Sequence, residues 1–247
     1  MFASGGSGYK RCEDACILAG MSGSVVMWDF DGTLATRPGL WSMCMLEVLD
    51  EHVPGHAVSR DDVRAALRNG FPWHRADEPH LDLCEADAWW AALGPVLGRG
   101  FDLAGVDAGR HPQLARAFRT RFVDGTVGWQ VFDDTVPALR ATAAAGWRNV
   151  IVSNHVPELA GLVEALGLSG LVEDVFSSAL IGYDKPHPEL FRHALRACGN
   201  PARRWMVGDN PEADVRGAQA LGIPAVLIRT EGGEPDALAA AQLVITG

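Results

Sequence analysis

An α/β fold, a doubly wound parallel sheet with a block of helices inserted after its first strand, is what this sequence predicts. Three observations predict it. Short apolar runs of strand length alternate with helical segments over the second half of the chain, the stretch 37–128 separates the first such run from the others without a strand signal of its own, and the runs end in polar or acidic residues. Alternation of this kind needs crossover connections, hence parallel neighbours with helices on both faces. Ligands in such folds bind beyond the carboxyl ends of the strands.

Taken in order, residues 1–23 are rich in Gly and Ser at the start and lack a sustained period, so a loosely ordered extension is expected there, with Met21 as an alternative start. The run Val25-Val26-Met27-Trp28 has the continuous apolar character of a strand covered on both faces. It delivers two carboxylates, Asp29 and Asp31, and then Gly32, which permits a sharp turn whose backbone N–H groups face an anion. From 37 to 128 the pattern is helical. Ser59 with Asp62 reads as a capping box with Gly70 as the stop, Ala86 to Leu97 as a second helix, and Leu114, Phe118 and Phe122 as one face of a third. The core is therefore expected to comprise 24–36 and 129–247, with 37–128 as a helical cap placed to act as a lid.

Beyond Trp129, a helix from about Val136 to Gly146 precedes a buried strand, Asn149 to Ser153. A helix from Pro157 to Gly167, a short strand at Val175-Phe176 and a helix from Pro188 to Cys198 follow. Trp205-Met206-Val207 is a strand, Glu212 to Leu221 a helix stopped by Gly222, and Ala225 to Ile228 the last strand.

The 247 residues are 48% hydrophobic, ample for a sizeable core, and carry a net charge of −10. That balance argues against nucleic-acid or anionic-membrane partners, because phosphates would find no basic tract. Five scattered cysteines suit reduced thiols in a cytoplasm; Cys12 and Cys16 lack the second pair that a zinc site needs. No apolar stretch approaches the ~20 residues that span a bilayer.

The polar residues at the predicted strand ends, in chain order, describe one reaction. Asp29 can attack phosphorus and form an aspartyl phosphate if a divalent cation, shared with Asp209, holds down the charge. Asp31 is displaced along the turn, positioned to protonate the leaving oxygen and then to activate water. Ser153, the Asn154 amide and Lys185 can bind the phosphoryl oxygens, Lys185 also offsetting the charge of the nucleophile. Hard oxygen ligands suit Mg2+ rather than zinc.

These motifs resemble those of the haloacid dehalogenase superfamily of phosphohydrolases. Asp29-Phe30-Asp31-Gly32-Thr33 is similar to its first motif, Ser153-Asn154 to the second, Lys185 within Asp184-Lys185-Pro186 to the third, and Gly208-Asp209-Asn210-Pro211-Glu212-Ala213-Asp214 to the fourth. The resemblance implies a Rossmann-like core, a helical cap, magnesium dependence and a phosphoaspartate. It implies metal ligation by Asp29, the Asp31 carbonyl, Asp209 and Asp214, and phosphate binding by Gly32, Thr33, Ser153, Asn154 and Lys185. The expected partner is a small phosphorylated substrate such as a phosphoglycolate-like acid, a sugar phosphate or a nucleoside monophosphate, handled by a monomer or homodimer. The chain ends soon after Leu243-Val244-Ile245, so the closing helix common in the superfamily is expected to be missing.

Competing readings are a phosphoglucomutase-type transferase, which uses the same acid pair, and a non-catalytic binding module. A dehalogenase needs neither metal nor leaving-group acid, and a phosphonatase needs a cap lysine, whereas the lysines here are Lys10 and Lys185. His155 is read first as opening a loop and second as a substrate contact, Asp133 and Asp134 as helix caps, and Trp89 and Trp90 as cap core. Phe71-Pro72-Trp73-His74-Arg75 is read first as a loop between cap helices and second as a specificity loop. Gly39, Gly125 and Gly128 are candidate hinges.

Overall fold

The computed structural model describes residues 23–247. The expected extension, the Cys12–Cys16 pair and the alternative start at Met21 lie outside these residues. Strand β1 (Ser24–Trp28) leads through the two-residue β2 (Ala35–Thr36) into helices α1 (Leu40–His52), α2 (Arg60–Ala66), α3 (Ala86–Ala92), α4 (Gly94–Leu103) and α5 (His111–Phe122). The chain returns through β3 (Gln130–Val131) to α6 (Thr135–Ala144), β4 (Trp147–Ser153), α7 (Leu159–Ala165), β5 (Asp174–Ser177), α8 (Ser178–Ile181), α9 (Pro188–Ala197) and β6 (Arg203–Gly208). A short α10 (Gly217–Gln219), β7 (Ala225–Leu227) and α11 (Ala237–Thr246) complete it.

The five core strands form one parallel sheet in the order β5-β4-β1-β6-β7, with Trp28 level with Ile151 of β4 and Val207 of β6. This is the doubly wound Rossmann-like sheet the sequence predicts. β1 is central, and its pleat sends Val26 and Trp28 into one buried cluster and Val25 and Met27 into another, which explains the unbroken apolar run. The Trp28 indole N–H donates to Asn149 Oδ1 at 3.0 Å, and the Thr142 hydroxyl donates to the same oxygen. Left unpaired, that buried N–H would cost ~1–3 kcal/mol.

Between β2 and β3, which pair antiparallel where the chain leaves and re-enters the core, the five helices pack on one another. The Ser59/Asp62 capping box is formed, and Leu114, Phe118 and Phe122 are the buried face of α5. The single helix expected from Ala86 to Leu97 is instead two, because Gly94 and Pro95 restart the chain as α4; proline has no N–H for the preceding turn. The helix expected over Glu212–Leu221 is wound as a π-helical turn, Pro211–Arg216, followed by α10.

The expectation of a missing closing helix is overturned by α11. Asp236 caps it by accepting from the Ala239 N–H at 2.8 Å, and its Ala240, Ala241 and Val244 are buried, with α11 packed on α6. Asp134 is corrected with it. Its carboxylate makes no cap bond to α6 but takes Arg229 at 2.7 Å and the Ala237 N–H at 2.5 Å, joining α6 to α11. Among the described residues no helix is long and apolar enough to cross a membrane.

Candidate active site

The strand order sets the site. β1 lies between β4 and β6, so Asp29, Ser153 and Asp209 leave the sheet side by side. The Asp29 N–H donates to Val207 O at 2.9 Å, which extends the ladder one residue past β1 and pins the carboxylate-bearing Cα. Lys185 arrives from the segment between α8 and α9. Its Nζ donates to Asp29 Oδ1 at 2.8 Å, Asp214 Oδ1 at 2.5 Å and Val152 O at 2.8 Å, so all three ammonium protons are used.

The supporting residues explain why those groups stay put. Asn154 accepts from the Lys185 N–H at 2.6 Å and donates to the Lys185 carbonyl at 2.8 Å, clamping that backbone. Asp214 Oδ2 accepts from the Asn210 N–H at 3.0 Å. Gly208 and Gly32 are demanded by close approach: a Cβ at Gly208 would lie 2.1 Å from Asp214 Oδ2, and one at Gly32, whose φ is +80°, would lie 2.4 Å from Asp209 Oδ2.

Two phosphate-binding expectations change with this geometry. The Gly32 N–H turns inward to Ala35 O at 2.8 Å, and Thr33 is fully buried, its hydroxyl 3.5 Å from Asp209 Oδ1. Both shape the turn and the Asp209 carboxylate rather than present donors to the cavity. Arg229 holds the same turn from below, donating to Thr33 O at 3.2 Å while paired with Asp134. Ser153, Asn154 and Lys185, by contrast, line the cavity together with Asp29, Asp31 and Asp209.

The cluster is overloaded with negative charge. Burial, with the charges of Asp29 and Asp209 added, pushes the Asp31 carboxyl up to about 8. Burial and the neighbouring Asp29 also push Asp209 up. Burial raises Asp214 as well, against the pull of Lys185; with both of its oxygens hydrogen-bonded, the ionised form is the one held at neutral pH. Burial opposes the Lys185 ammonium, but Asp214 and Asp29 outweigh it and raise its pKa. Asp29, Asp209 and Asp214 each offer an oxygen within 4.8 Å of the others. Three hard donors converging beside a single ammonium fit a divalent cation.

Sequence reasoning missed several residues of this site. His155 is buried against Phe30 and Trp129 and lines the cavity, burial driving its pKa down to about 4, so it is neutral. Arg37, buried and bound to Glu47 and Val127 O, reaches the same space. His80 of the inserted helices meets Asp184, the neighbour of Lys185, at 3.0 Å. Arg37 and His80 carry no local signal, since packing across long sequence separations places them, whereas His155 directly follows Ser153-Asn154 and that adjacency is its signal. Trp89 and Trp90 are buried as expected, and Trp90 donates to Glu158 of the core at 3.0 Å.

The model of the haloacid dehalogenase-like hydrolase family matches residues 24–222. A phosphoserine phosphatase of Thermus thermophilus is 37% identical over 159 residues, 63% of this chain and 61% of that protein, so the chain spans less than two thirds of this relative's length. A phosphoglycolate phosphatase of Rhodospirillum rubrum is 34% identical over 207 residues, 82% of this chain and 78% of that one. In fold, a 2-haloacid dehalogenase from Pseudomonas syringae superposes with a TM-score of 0.63 at 23% identity, covering 91% of this chain and 98% of the other. With its motifs gathered at the carboxyl edge of a doubly wound sheet and the family model spanning most of its length, the chain belongs to the haloacid dehalogenase-like hydrolases.

Proposed function

We propose that the protein is a Mg2+-dependent phosphatase that hydrolyses a small phosphorylated metabolite through an aspartyl phosphate on Asp29. The observation that carries this reading is Lys185, whose buried ammonium bridges Asp29 and Asp214 at the floor of a cavity into which Asp31 also faces. Lys185 occupies Asp29 Oδ1, leaving Oδ2 to attack phosphorus as the P–O bond to the leaving group breaks. Asp31, whose carboxyl titrates at about 8, holds a proton at neutral pH and gives it to the leaving oxygen. As a carboxylate it then takes a proton from water, whose oxygen attacks the phosphoaspartate; the Asp29–phosphorus bond breaks and phosphate leaves. The Ser153 hydroxyl and the Asn154 backbone N–H donate to the phosphoryl oxygens, and Lys185, its protons held by Asp29, Asp214 and Val152 O, steadies them through its charge. A magnesium ion held by Asp29, the Asp31 carbonyl, Asp209 and Asp214 would neutralise charge on the transferring group.

In this reading residues 37–128 form the cap, and its closure shuts bulk solvent out of the cavity while keeping the one water that hydrolyses the phosphoaspartate. The test is phosphate release from p-nitrophenyl phosphate with and without Mg2+, for the parent and Asp29→Asn. Metal-dependent release lost in the variant supports the proposal; release that persists in Asp29→Asn overturns it.

A further inference from the structure

The wall above the carboxylates is aromatic, and nothing in the proposed chemistry uses it. Phe71 and Trp73, the latter in a 3-10 turn at Pro72–Arg75, stack with ring centroids 4.8 Å apart and planes 10° apart. Trp41 of α1 lies 4.6 Å from Phe71 and 5.9 Å from Trp73, and stacks at 4.3 Å on Phe122. All four rings line the cavity that holds Asp29 and Lys185, and Trp41 and Trp73 are only half-buried, so they present ring surface to that space. Arg60 and Arg64, one turn apart on α2, line the same cavity, and Arg60 has no carboxylate partner among the described residues.

Size points the same way. The cavity holds about 700 Å³, room for roughly twenty waters at ~30 Å³ each. A two- or three-carbon acid would leave most of it filled with water against exposed indole faces. A flat ring completes an existing stack, removes apolar surface from water and meets guanidinium groups suited to ring faces and acceptor edges.

Resting on the phosphatase reading, we infer that the substrate is a phosphomonoester carrying a planar heteroaromatic ring, seated against Trp41 and Trp73 while its phosphate lies at Asp29 and Lys185. Nucleoside 5′-monophosphates and pyridoxal 5′-phosphate share that chemistry, and ribose 5-phosphate is the ring-less control. The experiment measures kcat/KM for adenosine 5′-monophosphate, pyridoxal 5′-phosphate and ribose 5-phosphate, in the parent, Trp73→Leu and Trp73→Phe. At least one ring-bearing ester is expected to exceed ribose 5-phosphate by about tenfold or more, and which one does so identifies the source. Trp73→Leu is expected to cut that ratio about tenfold and Trp73→Phe to retain most of it.

Equal or greater turnover of ribose 5-phosphate overturns the inference and leaves the phosphatase reading intact. So does a ratio unmoved by Trp73→Leu and by Trp41→Leu alike. Absence of turnover for every ester defeats the phosphatase reading, and the ring site is then decided by titrating tryptophan fluorescence of Asp29→Asn. Saturable quenching by adenosine 5′-monophosphate or pyridoxal 5′-phosphate, not reproduced by ribose 5-phosphate, upholds the ring site; its absence overturns it.

Discussion

The floor and the wall of the cavity are built on opposite principles. The floor is set by strand ends: Asp29 is held by a ladder bond from its own N–H to Val207, Lys185 by three acceptors, and Asp214 by Lys185 and the Asn210 amide. The wall is made of half-buried rings and arginines from α1, α2 and a short 3-10 turn, held by packing rather than by polar networks. Chemistry needs groups fixed to a fraction of an ångström, whereas recognition of a flat apolar ring tolerates repacking. Floor substitutions should therefore abolish turnover of every ester, and wall substitutions should redistribute turnover among esters.

The largest expected effect is that of Asp29→Asn, which removes the proposed nucleophile with little change of shape. Turnover should fall by ~10⁴-fold or more for every ester tested. A loss restricted to some esters would erase the contrast between floor and wall. Lys185→Met comes next. It leaves Asp29 and Asp214 buried without their cation, and removing one partner from a buried charged set costs ~3–5 kcal/mol. Urea denaturation in chelator should show that loss, and saturating Mg2+ should restore part of it. A variant as stable as the parent in chelator would show that Lys185 does not offset the carboxylates.

This contrast also explains what could be read from the sequence. Asp29-Phe30-Asp31-Gly32 is legible because a buried strand and the acids that end it are adjacent in the chain, and the other strand ends follow the same logic. The inward turn of the Gly32 amide and the burial of Thr33 are set by Ala35 and by Arg229, the latter 196 positions away from Thr33. Trp73 falls in the stretch read first as a loop and second as a specificity loop, and Trp41 and Arg60 stand out in no way, because an aromatic facing a cavity has the same local pattern as one in a core. The break at Gly94-Pro95 was available to sequence reasoning, since proline signals a restart; the apolar run before it concealed the signal. In α11 the run Leu243-Val244-Ile245 hid a helix whose cap, Asp236, stands well upstream.

A smaller effect tests the floor's charge through pH. Asp31 keeps a proton in the folded protein up to about 8, whereas the unfolded carboxyl releases it near its ordinary value of 3.8. The folded state thus binds more protons across that window, and stability falls as pH rises through it. Asp209, also raised, acts in the same direction. His155 opposes them, because its folded pKa of about 4 lies below the ordinary imidazole value of 6.5, but its contribution ends once pH exceeds 6.5. Between pH 6.5 and 8 the carboxyls act alone. In chelator the protein should lose about 1 kcal/mol over that interval, a Tm drop of roughly 2–4 °C, allowing for Asp31 bordering the solvent of the cavity. Saturating Mg2+ should flatten or reverse the slope, since a bound cation favours the ionised acids. A slope that is unchanged by the metal would place the cation elsewhere.

The smallest effect belongs to neither floor nor wall. Trp90 of α3 donates its indole N–H to Glu158, the residue that opens α7, and Glu158 also accepts from Arg119 Nε at 2.8 Å. Trp90→Phe removes one donor but leaves the carboxylate paired, so it should cost about 1 kcal/mol rather than the larger penalty of an orphaned charge. Because Trp90 is buried behind Trp41 and Phe122 and does not itself line the cavity, and Phe keeps a ring there, the ratio of kcat/KM between ring-bearing and ring-less esters should stay unchanged while Tm falls by a few degrees. If that ratio moved as far as it does in Trp73→Leu, ester preference would depend on how the inserted helices are tied to α7 as much as on the rings facing the substrate. Recognition would then need the same exact placement as the chemistry, and the contrast between floor and wall would be one of position alone.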